Sequence, residues 1–207
     1  MRKMAICIFI LLWAIMAKAH DMDSMAYFNL GLKSTMTQKK INYFSKALEL
    51  NPLLAEAYEK RGMLYYFQEK YVLMVEDFRR FIELVPFKAN NLRMLGIGYF
   101  KIGLYREAVS SFTQAIKSEP EFAIAYSNRA EAYRHMGNFD QAIRDSTTAI
   151  RIGGDPLTLS EAYRNRYKTY WELGQGNKAY ADLRESWRFD PRGWQRWRED
   201  HVGVNYR

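Results

Sequence analysis

Residues 92–120 read LRMLGIGYFKIGLYREAVSSFTQAIKSEP, and this stretch decides the fold. Leu92, Leu95, Gly96 and Tyr99 recur at i, i+3, i+4 and i+7, which places them on one face of a helix. Gly103 breaks that helix with a turn, and a second helix then gathers Ala108, Phe112 and Ala115 on one face. Pro120 ends the second helix, because a pyrrolidine ring cannot continue the hydrogen-bond ladder. Antiparallel helices approach to ~8–10 Å only where the contact side chains are small, so Gly96, Ala108 and Ala115 read as packing residues.

Outward from this stretch the pattern repeats. The five prolines of the 207-residue chain, Pro52, Pro86, Pro120, Pro156 and Pro191, fall 34, 34, 36 and 35 residues apart. Tyr65, Tyr99 and Tyr133 keep the 34-residue step, as do Met74, Ala108 and Ala142, and Phe78 with Phe112. The register drifts after Gly153-Gly154, where two residues are inserted and Tyr170 and Ala179 arrive three late.

The unit resembles the tetratricopeptide repeat, W-x2-L-G-x2-Y…A-x3-F…P with a 34-residue period. Leu92, Leu95, Gly96, Tyr99, Ala108, Phe112, Ala115 and Pro120 carry the likeness, followed by Tyr126, Ala130, Tyr133, Ala142 and Ala149 with a displaced Pro156. Tyr58, Gly62, Tyr65, Phe78 and Pro86 fit an earlier unit in which Met74 and Phe81 replace alanines; Tyr163, Tyr170, Ala179, Leu183 and Pro191 fit a later one with Tyr167 at a small-residue position. The resemblance implies an all-α fold, a right-handed α-solenoid of stacked helix-turn-helix units. The expected organisation is a degenerate unit at 24–52, full units at 53–86, 87–120, 121–156 and 157–191, and a capping segment or tail at 192–207 carrying Trp194 and Trp197. Between Gly31 and Phe44 the first unit is three residues short, as a terminal capping repeat would be.

The N-terminus reads as an address. Arg2 and Lys3 precede a 13-residue apolar run, Met4 to Met16, which Ala17-Lys18-Ala19 closes in the small-x-small pattern of a signal-peptidase site. The run is short of the ~20 residues needed to span a bilayer, so the expectation is a cleaved secretory signal at 1–19 and a mature chain beginning at His20. Cleavage takes three of the 31 basic residues, leaving 28 against 23 acidic, and removes Cys7, the one cysteine. The expected location is periplasmic or secreted, with no stable membrane insertion after cleavage and no nucleic-acid partner at so modest a charge.

Catalytic chemistry finds little to use. The three histidines, His20, His135 and His201, lack metal-ligand spacing, so no metal is expected. There is no nucleophile elbow and no phosphate loop, and a mature chain without cysteine has no thiol nucleophile. The expectation is a non-enzyme without a cofactor. The resemblance implies instead that the first helices of successive units line a groove that grips extended peptides or partner helices.

If Tyr58, Gly62 and Tyr65 face the partner helix, the stripe rotated by about 100° is Glu59, Met63 and Tyr66. Its equivalents are Arg93, Ile97 and Phe100; Ser127, Glu131 and Arg134; and Arg164, Lys168 and Trp171, with Asn128, His135 and Asn165 beside them. This gives Arg93, Phe100, Asn128, Arg134, Arg164, Asn165, Lys168 and Trp171 as candidate partner-binding residues, suited to carboxylates and apolar side chains. Asn128 resembles the asparagine of the carboxylate clamp in chaperone adaptors, but Ile97, Glu161 and Asn165 depart from that clamp, which leaves an acidic or carboxylate-ended protein or peptide as the expected partner. The alternative is an anionic glycan or cell-wall polymer held by Trp171, Trp194 and Trp197. The sequence does not fix the oligomeric state.

Overall fold

The computed structural model describes residues 21–190, so the signal segment, His20, Pro191, Trp194, Trp197, His201 and the 192–207 segment lie outside the described residues. Among the described residues every regular element is a helix. The chain divides into two compact units, one through Phe87 and one from Lys88 onward.

The first unit holds α1 (21–33), α2 (Thr37–Leu50), α3 (Ala55–Phe67) and α4 (Tyr71–Leu84). The second holds α5 (Ala89–Lys101), α6 (Tyr105–Ser118), α7 (Ala123–His135), α8 (Phe139–Ile152), α9 (Pro156–Glu172) and α10 (Gly176–Phe189). Each even-numbered helix folds back on the odd one before it after a three-residue turn. Gly103, Gly137 and Gly174 sit at the centre of three of these turns with φ of 81°, 74° and 70°, a left-handed conformation that costs glycine nothing.

Size matching decides how closely each hairpin closes. A Cβ on Gly96 would stand 2.5 Å from the Phe112 ring, and one on Gly31 equally close to Phe44. The first hairpin therefore keeps the glycine-on-phenylalanine contact despite being three residues short, because α1 stops two residues past Gly31 whereas α3 runs five past Gly62. Met74 and Phe81, the large residues at alanine positions, are buried at 0% and 2% exposure and pack in the core of the second hairpin.

Pro156 behaves unlike its three described counterparts. Pro52, Pro86 and Pro120 lie in the turn after a helix, but Pro156 is the first residue of α9. There its missing N–H is no loss, since the first-turn amides of a helix have no internal partner. The Asp155 carboxylate caps the helix, accepting from the Leu157 and Thr158 amides at 2.9 and 3.0 Å and from the Thr158 hydroxyl at 2.7 Å. Gly153 and Gly154, both at positive φ, turn the chain out of α8. The insertion is absorbed by lengthening α9 to 17 residues, against 13 in α3, α5 and α7.

Candidate functional site

The residues picked out on α5, α7 and α9 all fall within the second unit, where α7 packs against both α6 and α9. Three ties join α7 to α9. Asn165 is 7% exposed and donates its amide to the Ser127 carbonyl at 3.0 Å and hydroxyl at 3.1 Å. Lys168 lies 3.7 Å from Glu131, and Arg134 is ion-paired with Glu172. Ser127, expected on the open stripe, is fully buried beneath Asn165. The amide of Asn165 is thus occupied within the fold and not offered outward.

Toward the turns, His135 stacks on Tyr105 with ring centroids 5.0 Å apart and meets Phe100 edge-on at 5.1 Å. Its Nε2 is 2.9 Å from the Arg134 guanidinium. A guanidinium only donates, so Nε2 is the bare acceptor and the imidazole is neutral. Burial and, next, the charge of Arg134 hold its pKa below the ordinary value. Phe100 therefore belongs to an aromatic cluster that ties α5 and α6 to α7.

The charge pattern is more even than the sequence stripe suggests. Glu131, Glu161 and Glu172 stand among Arg93, Arg134, Arg164 and Lys168. The Glu161 carboxyl is pushed up by burial, an effect opposed by Arg164 and Arg93 and reinforced by Glu131. Arg164 of α9 and Arg93 of α5 thus both favour the charged form of the Glu161 carboxyl. Arg93 also donates to Asn90 at 2.9 Å and lies over the Phe122 ring at 6.0 Å.

Among the described residues, three groups on this face take no part in the ties between helices. Arg164 donates a hydrogen bond to the Ser160 hydroxyl at 3.2 Å and makes no ion pair among the described residues. Asn128, one position beyond Ser127 on the stripe with Glu131 and His135, has a buried amide nitrogen with no hydrogen-bond partner among the described residues. Trp171 is 50% exposed, with Tyr180 edge-on at 5.8 Å and Tyr167 at 6.3 Å.

A second set of polar residues was not singled out from the sequence. Arg61, Arg129 and Arg166 each make two parallel hydrogen bonds of 2.7–2.9 Å to an aspartate sixteen residues on, Asp77, Asp145 and Asp182. Each also donates to a hydroxyl of the preceding hairpin, Ser45, Thr113 or Thr147. Arg61 and Arg129 lie against tyrosine rings three residues before and four after. The recurring signal is Tyr-x2-Arg-x3-Tyr with Asp sixteen residues past the arginine. It is absent from the 89–120 hairpin, where Leu95 and Ser111 occupy the two places.

Residues 93–153 match the family model described as tetratricopeptide repeat. Tetratricopeptide repeat protein 13 of Homo sapiens is 36% identical over 94 residues, 45% of this chain and 11% of that protein. A crystal structure of MamA superposes with a TM-score of 0.72 at 20% identity, covering 89% of this chain and 98% of that one. YrrB, a TPR protein with an unusual peptide-binding site, superposes with a TM-score of 0.69 at 21% identity over 87% and 93% of the two chains. The chain spans 11% and 30% of the length of the first two curated relatives it matches. Together these show an all-α helical repeat fold, with residues 93–153 similar to the tetratricopeptide repeat.

Proposed function

We propose that this chain is a non-catalytic scaffold of the bacterial envelope that holds an extended peptide across α5, α7 and α9. The observation that carries the reading is the amide of Asn128, whose nitrogen is buried and unpaired on that face. A buried donor without a partner costs about 1–3 kcal/mol, and a peptide carbonyl relieves that cost. Arg164, which makes no ion pair among the described residues, can take a side-chain or terminal carboxylate through its fork of donors. The half-exposed Trp171 offers a flat apolar face to a neighbouring side chain. With three glutamates among four cations the face lacks the field that a polyanion needs, which favours a peptide carrying one carboxylate over an anionic glycan. The peptide-binding site of YrrB agrees with this mode of use. The envelope location is supported by the charged start, short apolar run and Ala-Lys-Ala of residues 1–19.

A library of peptides with free C-termini tests the site. Arg164→Gln and Asn128→Ala are each expected to weaken a selected peptide at least tenfold, and amidating the peptide C-terminus to weaken it as Arg164→Gln does. Binders indifferent to both substitutions would remove the site. Intact-mass analysis of the chain from its native compartment tests the location, with His20 expected as the first residue.

A further inference from the structure

The turn between α3 and α4 differs from those of the three later hairpins in two independent ways. Phe67, the last residue of α3, is 71% exposed, and Val72 and Leu73 in the first turn of α4 are 59% and 39% exposed. In the other full hairpins the register of Phe67 holds Lys101, His135 and Glu172, that of Val72 holds Arg106, Asp140 and Asn177, and that of Leu73 holds Glu107, Gln141 and Lys178. Nine polar residues stand where this tip has three apolar ones. The centre of the turn differs too: Glu69 takes φ 57°, where the three later hairpins place glycine. A bulky residue kept in the left-handed region is strained.

The reason Phe67 lacks cover is local to the first unit. His135, in the same register, leans on Phe100 and Tyr105 of the hairpin before it, and Glu172 takes Arg134 in the same way. Before Phe67 comes the shortened hairpin, in which α1 stops three residues sooner after its glycine. The helical turn that would shelter the ring is missing. Tyr66 braces the knob instead, edge-on to Phe67 at 5.5 Å and to Tyr71 at 6.3 Å.

We propose that this tip is a self-association surface, docking on the same tip of a second copy of the chain. A two-fold contact must be complementary to itself. This one has an uncharged centre of Phe67, Val72 and Leu73 beside one acid and one base in sequence, Glu69 and Lys70, neither engaged by another side chain among the described residues. About a dyad, Glu69 of each copy meets Lys70 of the other. The balanced charge gives no pull toward an anionic surface. Three exposed apolar side chains fall short of the ~800 Å² per partner of a stable dimer, so the association is weak and reversible, with Kd roughly 10⁻⁵–10⁻³ M. The proposal is independent of the peptide site, whose residues all lie in the second unit.

Sedimentation equilibrium tests it on the chain as its producing cell leaves it, from about 10 µM to about 1 mM. The mass is expected to rise from one chain toward two, and Phe67→Gln to hold it at one chain with an unchanged helical spectrum. Glu69→Lys and Lys70→Glu should each weaken association at least tenfold, and the double exchange should restore it. A single-chain mass at every concentration, association that survives Phe67→Gln, or a double exchange that fails to restore would each overturn the proposal. Binding of a monomeric chain to phosphatidylcholine vesicles, lost in Phe67→Gln, would also overturn it and assign the tip to lipid.

Discussion

Arg129 and Asp145, sixteen residues apart on α7 and α8, meet through two parallel hydrogen bonds of 2.7 and 2.9 Å while the same guanidinium reaches Thr113 of α6 at 3.0 Å. One side chain thus joins three helices of two hairpins. Both partners are largely buried, with 16% and 10% of the side chains exposed, so the pair's value depends on staying intact. Breaking it leaves an uncompensated charge, whereas replacing both members by uncharged residues costs little. The 89–120 hairpin already carries such a replacement in Leu95 and Ser111.

Asp145→Ala is expected to lower stability by about 3 kcal/mol. Arg129→Leu combined with Asp145→Ser, copying the 89–120 hairpin, should return to within about 1 kcal/mol of the parent. Urea unfolding followed by circular dichroism measures both. A double variant as unstable as Asp145→Ala would show that the arginine acts by more than its pairing.

The contact of Gly96 with Phe112 gives a second expectation. Gly96→Ala puts a methyl group 2.5 Å from the ring and should cost about 1–3 kcal/mol by overpacking. Gly62→Ala, whose nearest ring atom is 3.0 Å away, should cost less. Adding Phe112→Leu should recover part of the Gly96→Ala loss; no recovery would place the strain elsewhere.

These two contacts also show what could be read from the sequence. Gly96 and Phe112 were legible because apolar residues at helical spacing must face one another, and the 34-residue period repeats the signal. Arg129 and Asp145 share the same sixteen-residue spacing, yet they escaped a reading built on apolar periodicity, in which a charge counts as solvent-facing. The roles of Ser127 and Asn165 hung on a rotation of less than one residue about the helix axis, which periodicity does not resolve. Pro156 was legible as a breaker, but only the Asp155 cap shows that it opens a helix. The tip at Phe67 follows from a deletion one hairpin earlier, a relationship between hairpins that no local pattern carries.

Glu69 is expected to be a poor residue for its own turn. At φ 57° an L side chain costs about 1–2 kcal/mol, part of which glycine returns through its greater freedom in the unfolded chain. Glu69→Gly should therefore raise stability by about 1 kcal/mol, while Gly103→Ala and Gly137→Ala, with open space around the added methyl, should each cost about 1 kcal/mol from backbone conformation alone. Melting midpoints check the three together. A loss in Glu69→Gly would mean that the glutamate side chain supplies something the turn needs.

His135 and Glu161 should bend the stability profile in opposite directions. The folded imidazole resists protonation, so below about 6.5 the unfolded chain binds the proton more readily and stability falls with pH through that group. Glu161 is raised; its folded carboxyl takes a proton more readily than the unfolded one, and its contribution is lost as pH rises through the folded value. His135→Gln should flatten the slope between about pH 5 and 6.5. Glu161→Gln should stabilise the fold at pH 7 and leave it unchanged near pH 4. Denaturant midpoints across that range decide both, and parallel profiles for parent and variants would refute the assignments.

The two asparagines of the candidate face should separate binding from stability. Asn165 makes two hydrogen bonds to Ser127 that join α9 to α7; Asn165→Ala leaves a buried carbonyl and hydroxyl with fewer partners and should cost about 1–3 kcal/mol. Asn128 has the opposite character, with its buried nitrogen unpaired in the free chain. Removing it relieves an unmade bond, so Asn128→Ala should leave stability unchanged or raise it by up to about 1 kcal/mol. It should still weaken a bound peptide at least tenfold, or about 1.4 kcal/mol, because only the ligand satisfies that donor. The two measurements are a melting midpoint and a peptide titration on the same samples. Asn128→Ala that destabilises the fold as Asn165→Ala does, with peptide affinity unchanged, would make Asn128 a packing residue and remove the amide from the site.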